Sequence, residues 1–230
     1  MPELAFRHGR GTVRLRVPDG AAIFSSRYPE PDARDAEAVL RAVDNPLGAP
    51  ALRDALSRRR TGDVVVVVSD ITRPIPYATF LPGLLERIER SGVPRTDILI
   101  LIAAGMHRPS TPAERAEMFG PAVAESYRVE DHRADDETGL ETLPEPGFSG
   151  ARIRLNRKYL RAGFRLVTGL VEPHFMAGFS GGRKAICPGL ASLDTVRNFH
   201  GAAFLADPRA RNGNLEANPL HLEALSVARL

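Results

Sequence analysis

Val64-Val-Val-Val-Val68, running straight into Ser69-Asp-Ile-Thr-Arg-Pro-Ile-Pro76, decides the fold of this 230-residue chain. Five valines in succession leave neither face of an extended segment polar, so both faces need cover, as in a strand inside a parallel sheet. Residues 78–90 then carry a helical pattern, and residues 98–104 repeat the buried-strand signature. Strand, helix and strand in that order predict a right-handed parallel crossover. Further strand candidates are residues 127–131, 152–155 and 164–170, and residues 12–17 alternate apolar and basic side chains like a strand with one wet face. Residues 33–60 have helical spacing broken by Asn45-Pro46 and Ala49-Pro50, which predicts two helices or a helix and a fragment. Thr111-Pro-Ala-Glu114 is a capping-box pattern with proline at the first helical position. Residues 192–200 and 219–230 read as helices and residues 137–150 as loop. The predicted fold class is α/β, an open and mostly parallel sheet flanked by helices in a Rossmann-like arrangement.

Composition excludes several classes. Hydrophobic residues at 43% and charged residues at 26% are those of a globular domain large enough to bury a core without staples. The longest apolar runs are too short for a bilayer span, and the amino terminus lacks a signal pattern, so a cytoplasmic protein without membrane attachment is expected. The single cysteine, Cys187, rules out an internal disulfide and a multi-thiolate zinc site. A formal charge of +3 is spread through the chain apart from Arg58-Arg-Arg60 and residues 152–165, and no aromatics interleave with these clusters. Nucleic acid is therefore not an expected partner, and solvated helix faces account for the arginines.

Each of three apolar segments ends in a polar cluster: Ser69-Asp-Ile-Thr-Arg-Pro74, Gly105-Met-His-Arg-Pro109 and Glu172-Pro-His174. In an open parallel sheet the carboxyl ends of the strands face one crevice, so these clusters are expected to meet. Asp70, Arg73, His107 and His174 would then share a cleft with the parts for acid/base chemistry on an anionic substrate. Taken singly, Asp70 also suits a turn before Pro74, and either histidine could simply close a strand or sit in a loop.

Only two of the 31 basic residues are lysines, and Lys184 stands in Gly178-Phe-Ser-Gly-Gly-Arg-Lys-Ala185. An amine can lose its proton and become a nucleophile or an acylated anchor, whereas guanidinium stays charged. Gly178, Gly181 and Gly182 remove side chains from the approach of a flat ligand. A nucleoside-triphosphate loop does not fit, because Arg183 falls where glycine is needed and Ala185 where a magnesium-binding hydroxyl belongs. Phosphate binding by backbone amides stays open, with Ser180 and Arg183 at hand. His200 closes a predicted helix; as a metal ligand it would need most of its co-ligands from outside the protein, and no H-E-x-x-H pair exists for zinc.

The stretches Ser69-Asp-Ile-Thr-Arg-Pro-Ile-Pro76, Gly105-Met-His-Arg-Pro-Ser-Thr-Pro-Ala-Glu114, Glu172-Pro-His-Phe-Met-Ala-Gly-Phe-Ser-Gly-Gly-Arg-Lys-Ala-Ile-Cys-Pro-Gly189 and Asn198-Phe-His200 resemble, in this order, the nickel-dependent lactate racemase family. The resemblance implies a racemase or epimerase of a small 2-hydroxy acid. It also implies the nickel-pincer nucleotide (pyridinium-3,5-bisthiocarboxylic acid mononucleotide nickel), attached covalently at Lys184 with His200 as the protein ligand to the metal. By the same resemblance His107 and His174 are the paired acid/base groups and Arg73 binds the substrate carboxylate. Asp70 and Thr72 help hold the nucleotide end, with Ser180, Gly181, Gly182 and Arg183 around the cofactor. Cofactor-biosynthesis proteins are implied partners. Family members carry a second domain, so residues 1–230 are expected to be the amino-terminal cofactor-binding domain of a longer protein. The other readings of the same residues are a cofactor-binding fragment without complete activity, and a metal-assisted hydrolase using His107, His174 and His200 directly.

Overall fold

The structure is a computed structural model describing residues 1–9, 11–25 and 35–229. It divides into two compact units, Met1–Asp35 and Ala36–Leu230. In the first unit β1 (Glu3–His8) and β2 (Gly11–Arg16) form an antiparallel hairpin in which Leu4 faces Leu15 and Phe6 faces Val13. All six residues of β2 are exposed, so the expected division into a dry and a wet face is absent there.

The second unit carries α1 (Asp35–Asp44), α2 (Leu52–Ser57), β3 (Val64–Ser69), α3 (Tyr77–Arg90), β4 (Ile98–Ala103), α4 (Pro112–Phe119), α5 (Pro121–Ser126) and β5 (Arg128–Asp131). Then come β6 (Leu140–Thr142), β7 (Arg154–Asn156), α6 (Arg157–Arg161), β8 (Phe164–Val167), β9 (Pro173–His174) and β10 (Gly178–Phe179). Last are α7 (Arg183–Ile186), α8 (Leu193–Phe199), α9 (Ala202–Leu205) and α10 (Pro219–Arg229). The first helix was expected from residue 33, but residues 33 and 34 lie outside the described residues, as does Leu230. Among the described residues no helix is long and apolar enough to cross a membrane.

β5, β4, β3 and β8 form one four-stranded sheet in that order, and all three pairings are parallel. The valine run is buried because successive side chains leave opposite faces and both faces are covered. Val64, Val66 and Val68 join Ile98, Ile100 and Ile102 under α3, against Leu81, Leu84, Leu85 and Ile88. Val65 and Val67 join Leu99 and Leu101 on the other face, under Ile186, Leu190, Phe199, Leu220 and Val227. Burying a side chain of this size contributes about 1.5–3 kcal/mol, so this double layer fixes the register of β3 on β4.

Two expectations need correction. Residues 152–155 do not add to the parallel sheet: the strand is Arg154–Asn156, paired antiparallel with Leu140–Thr142, inside a segment whose composition reads as loop. The basic stretch around it is locally neutralised, with Arg154 on Glu137, Lys158 on Glu130 and Arg161 on Glu141.

The order of strands places the site. The chain steps from β3 outward to β4 and β5, then returns to β8 on the other side of β3. Loops leaving the carboxyl ends of β3 and β8 therefore diverge and open a crevice between them.

Candidate active site

A cavity of about 290 Å³ opens at this divergence. Its wall takes Ser69, Asp70 and Arg73 from beyond β3, Gly105 and His107 from beyond β4, and Gly169 and Leu170 from beyond β8. His174, Ser180, Gly181, Lys184 and His200 complete it. The three polar clusters thus meet, and the glycine segment comes with them. Among the expected site residues Thr72, Gly182 and Arg183 do not line the cavity; each adjoins one that does.

The crevice floor is tied by residues that sequence reading passed over. The Ser69 backbone N–H donates to the Tyr77 hydroxyl (2.7 Å), which lies 3.1 Å from Thr168 Oγ1; that hydroxyl donates to the Val67 carbonyl (2.8 Å). These bonds join the carboxyl ends of β3 and β8. Burial pushes the Tyr77 phenol above its ordinary pKa, so it stays a neutral bridge.

His107 follows a turn in which its N–H donates to the Ala104 carbonyl (2.9 Å). Its Nδ1 lies 2.6 Å from Asp70 Oδ2, and Thr72 Oγ1 donates to Asp70 Oδ1 (2.7 Å). The His107 side chain is 56% exposed and Asp70 only 12%, so the imidazole reaches toward solvent from a sheltered carboxylate. The loop is fastened farther out. Ser110 donates twice to the buried Asp131 carboxylate, which also accepts from Arg115, and Arg108 forms a bidentate pair with Glu114.

Across the crevice, His174 ends β9, and its Nδ1 accepts from the backbone N–H groups of Met176 (3.4 Å) and Ala177 (3.3 Å). Phe175 stacks on the ring at 4.8 Å between centroids. Burial, followed by the charges of Lys184 and Arg73, lowers the His174 pKa to about 4. Arg73 makes an ion pair with Glu172 at 3.7 Å; the two clusters were expected to meet, but nothing in them specified this pairing.

Lys184 lies in the single turn α7. Its amine has no hydrogen-bond or ion-pair partner among the described residues. Burial first, then Arg73 and Arg183, bring its pKa down to about 8. The three glycines before it have different reasons to be glycine. A Cβ on Gly178 would collide with the Asn214 carbonyl, and one on Gly181 would come within 2.9 Å of the Leu170 carbonyl oxygen, both at positive φ. Only Gly182 has open space where a Cβ would stand. Two of the three therefore serve the packing of the chain on itself, whereas Gly182 is called for by its own positive φ of 50° and has open space beside it. Arg183 points back to the Ala177 and Phe179 carbonyls.

His200 caps α8, and its Nδ1 lies 2.9 Å from the Val196 carbonyl oxygen. A carbonyl only accepts, so the ring donates from Nδ1 and keeps the Nε2 lone pair free. Among the described residues no three His, Cys, Asp or Glu side chains converge as a metal site.

Comparison with known proteins bears on what this arrangement is. The chain is 36% identical over its whole length to a lactate racemase of Thermoanaerobacterium thermosaccharolyticum, covering 54% of that protein. It is also 36% identical to a lactate racemase of Lactiplantibacillus plantarum, over 84% of this chain and 45% of the relative. The chain thus spans about half the length of these curated relatives. The solved lactate racemase apoprotein from T. thermosaccharolyticum superposes with a TM-score of 0.85 at 32% identity, over 99% of this chain and 53% of that one. A crystal structure of a Thermotoga maritima protein reaches a TM-score of 0.57 at 23% identity over 74% of this chain, a likeness of fold alone. Residues 8–213 match the model of the lactate racemase N-terminal domain, and the chain belongs to that family.

Proposed function

We propose that this chain is the cofactor-bearing part of a racemase or epimerase acting on small 2-hydroxy acids, with a nickel-pincer nucleotide tethered at Lys184. The observation that carries the reading is the convergence of Lys184, Arg73, His107, His174 and His200 on one crevice. The relatives named lactate racemase support a hydroxy acid as the substrate class.

The residues present fit such a group. An amine with a pKa near 8 has a substantial neutral fraction at physiological pH, as acylation at Lys184 requires. His200 donates from Nδ1 to a backbone carbonyl and offers Nε2, which is how proteins set an imidazole that binds metal. One imidazole cannot hold nickel alone, so sulfur donors of the group itself would complete a planar set suited to that metal. Ser180, Gly181, Gly182 and Arg183 would sit beside it, with open space beside Gly182.

When bound, the group supplies a reversible acceptor for the hydride on C2 of the substrate. Arg73 binds the substrate carboxylate in place of Glu172, whose 3.7 Å contact is loose enough to exchange. His107 and His174 serve the proton of the 2-hydroxyl from the two sides of the crevice. Asp70, expected near the nucleotide, is paired with His107 here and Thr72 with Asp70, which supports a positioning role on that base.

The narrower alternative is binding of the cofactor without full turnover; the chain spans about half the length of its curated relatives, so the activity of a whole protein of that kind is part of the proposal. The metal-assisted hydrolase is not favoured, since its histidines do not form a ligand cluster among the described residues. A test is nickel content and visible absorbance of protein produced together with the cofactor's biosynthetic proteins. The expected result is a coloured, nickel-containing chain that loses its metal on His200→Ala; colourless protein, or metal undiminished in the variant, contradicts the assignment.

A further inference from the structure

We propose that the fold holds its two crevice histidines in opposite tautomers, so that His107 offers a bare Nε2 and His174 offers an Nε2–H. The hydrogen-bond partners fix this, because each can play only one role. A carboxylate has no proton to give, so the 2.6 Å contact of His107 Nδ1 with Asp70 Oδ2 puts the ring proton on Nδ1. The Thr72 hydroxyl donates to the other oxygen of that carboxylate at 2.7 Å and holds its plane. At His174 the partners of Nδ1 are the backbone N–H groups of Met176 and Ala177, which can only donate. Nδ1 is therefore the lone pair, and the neutral ring carries its proton on Nε2.

The two rings thus differ in what they can do. Nε2 of His107 can accept a proton from a substrate hydroxyl, and the ion pair formed with Asp70 then stabilises the charged ring. Nε2 of His174 already carries a hydrogen, and a second proton at Nδ1 would point at two N–H donors. His174 in this conformation is a hydrogen-bond donor to a substrate oxygen. Its share in moving the 2-hydroxyl proton, proposed above, therefore requires the backbone at residues 176 and 177 to turn away and free Nδ1. Asp70, Thr72 and these two backbone amides are positioning groups, acting through the imidazoles.

The consequence for proton transfer rests on the 2-hydroxy-acid reading, but the tautomers themselves do not. Long-range proton–nitrogen correlation spectra of this chain, with ring-labelled histidine and no cofactor, read them directly. Spectra are recorded at alkaline pH, raised until the histidine signals no longer change. His107→Gln and His174→Gln identify the two spin systems. The expected result is an unprotonated nitrogen at Nε2 for His107 and at Nδ1 for His174. Asp70→Ala is expected to abolish the His107 preference and leave His174 unchanged. The same tautomer at both rings, or a His107 signal indifferent to Asp70→Ala, would overturn the proposal, whatever the cofactor experiment gives.

Discussion

Lys184 shows how much one side chain depends on its surroundings. It is partly buried at the wall of the crevice, near the charges of Arg73 and Arg183, so desolvation and like charge both favour the neutral amine. The pKa near 8 means that the amine becomes nucleophilic as pH rises through that value, where an ordinary lysine near about 10.4 remains almost wholly protonated. Lys158, the other lysine, donates to Glu130 and serves as a reference within the same molecule. Labelling with an acylating reagent, followed by peptide mass mapping, is expected to give a Lys184 rate that levels off above pH 8. A rate still climbing as for free lysine would remove the argument for a tuned amine. The uncommon lysine was legible in the sequence. Glu172, Tyr77 and Thr168 were not, because their roles arise from partners across the fold: the Tyr77–Thr168 contact joins residues 91 apart.

Elements with strong period and full burial were the readable ones. β3 and β4 stand where the unbroken valine run and the alternating isoleucine and leucine run put them, and α3 begins one residue before its expected start. The capping box is present at α4: Thr111 accepts from the Glu114 N–H and Glu114 accepts from the Thr111 N–H. Thr111→Ala is expected to cost about 1 kcal/mol in chemical denaturation. An unchanged midpoint would show that the helix start is held by its other contacts. β6, α6, α7 and α9 escaped the reading, since a strand of three residues or a helix of one turn does not span enough residues to show a period. The glycine segment was legible as unusual, yet its cause was half hidden: Gly178 and Gly181 answer to Asn214 and Leu170, contacts that only the folded chain supplies.

At the scale of the molecule, the topological rule carried most of the weight. Polar clusters after three strands had to converge if the sheet was parallel, and the return of the chain to β8 beside β3 brings them together. The crevice gathers a carboxylate, a guanidinium, an amine and three imidazoles from segments spread between residues 70 and 200. The function proposed for it hangs on a single covalent link at Lys184, which intact-mass measurement tests most directly. Chain produced with the cofactor's biosynthetic proteins is compared with chain produced without them, and the modified peptide is mapped. The expected result is one cofactor-sized increment located at Lys184 and absent from Lys184→Arg. An unchanged mass, an increment on Lys158, or an increment retained by Lys184→Arg would contradict it.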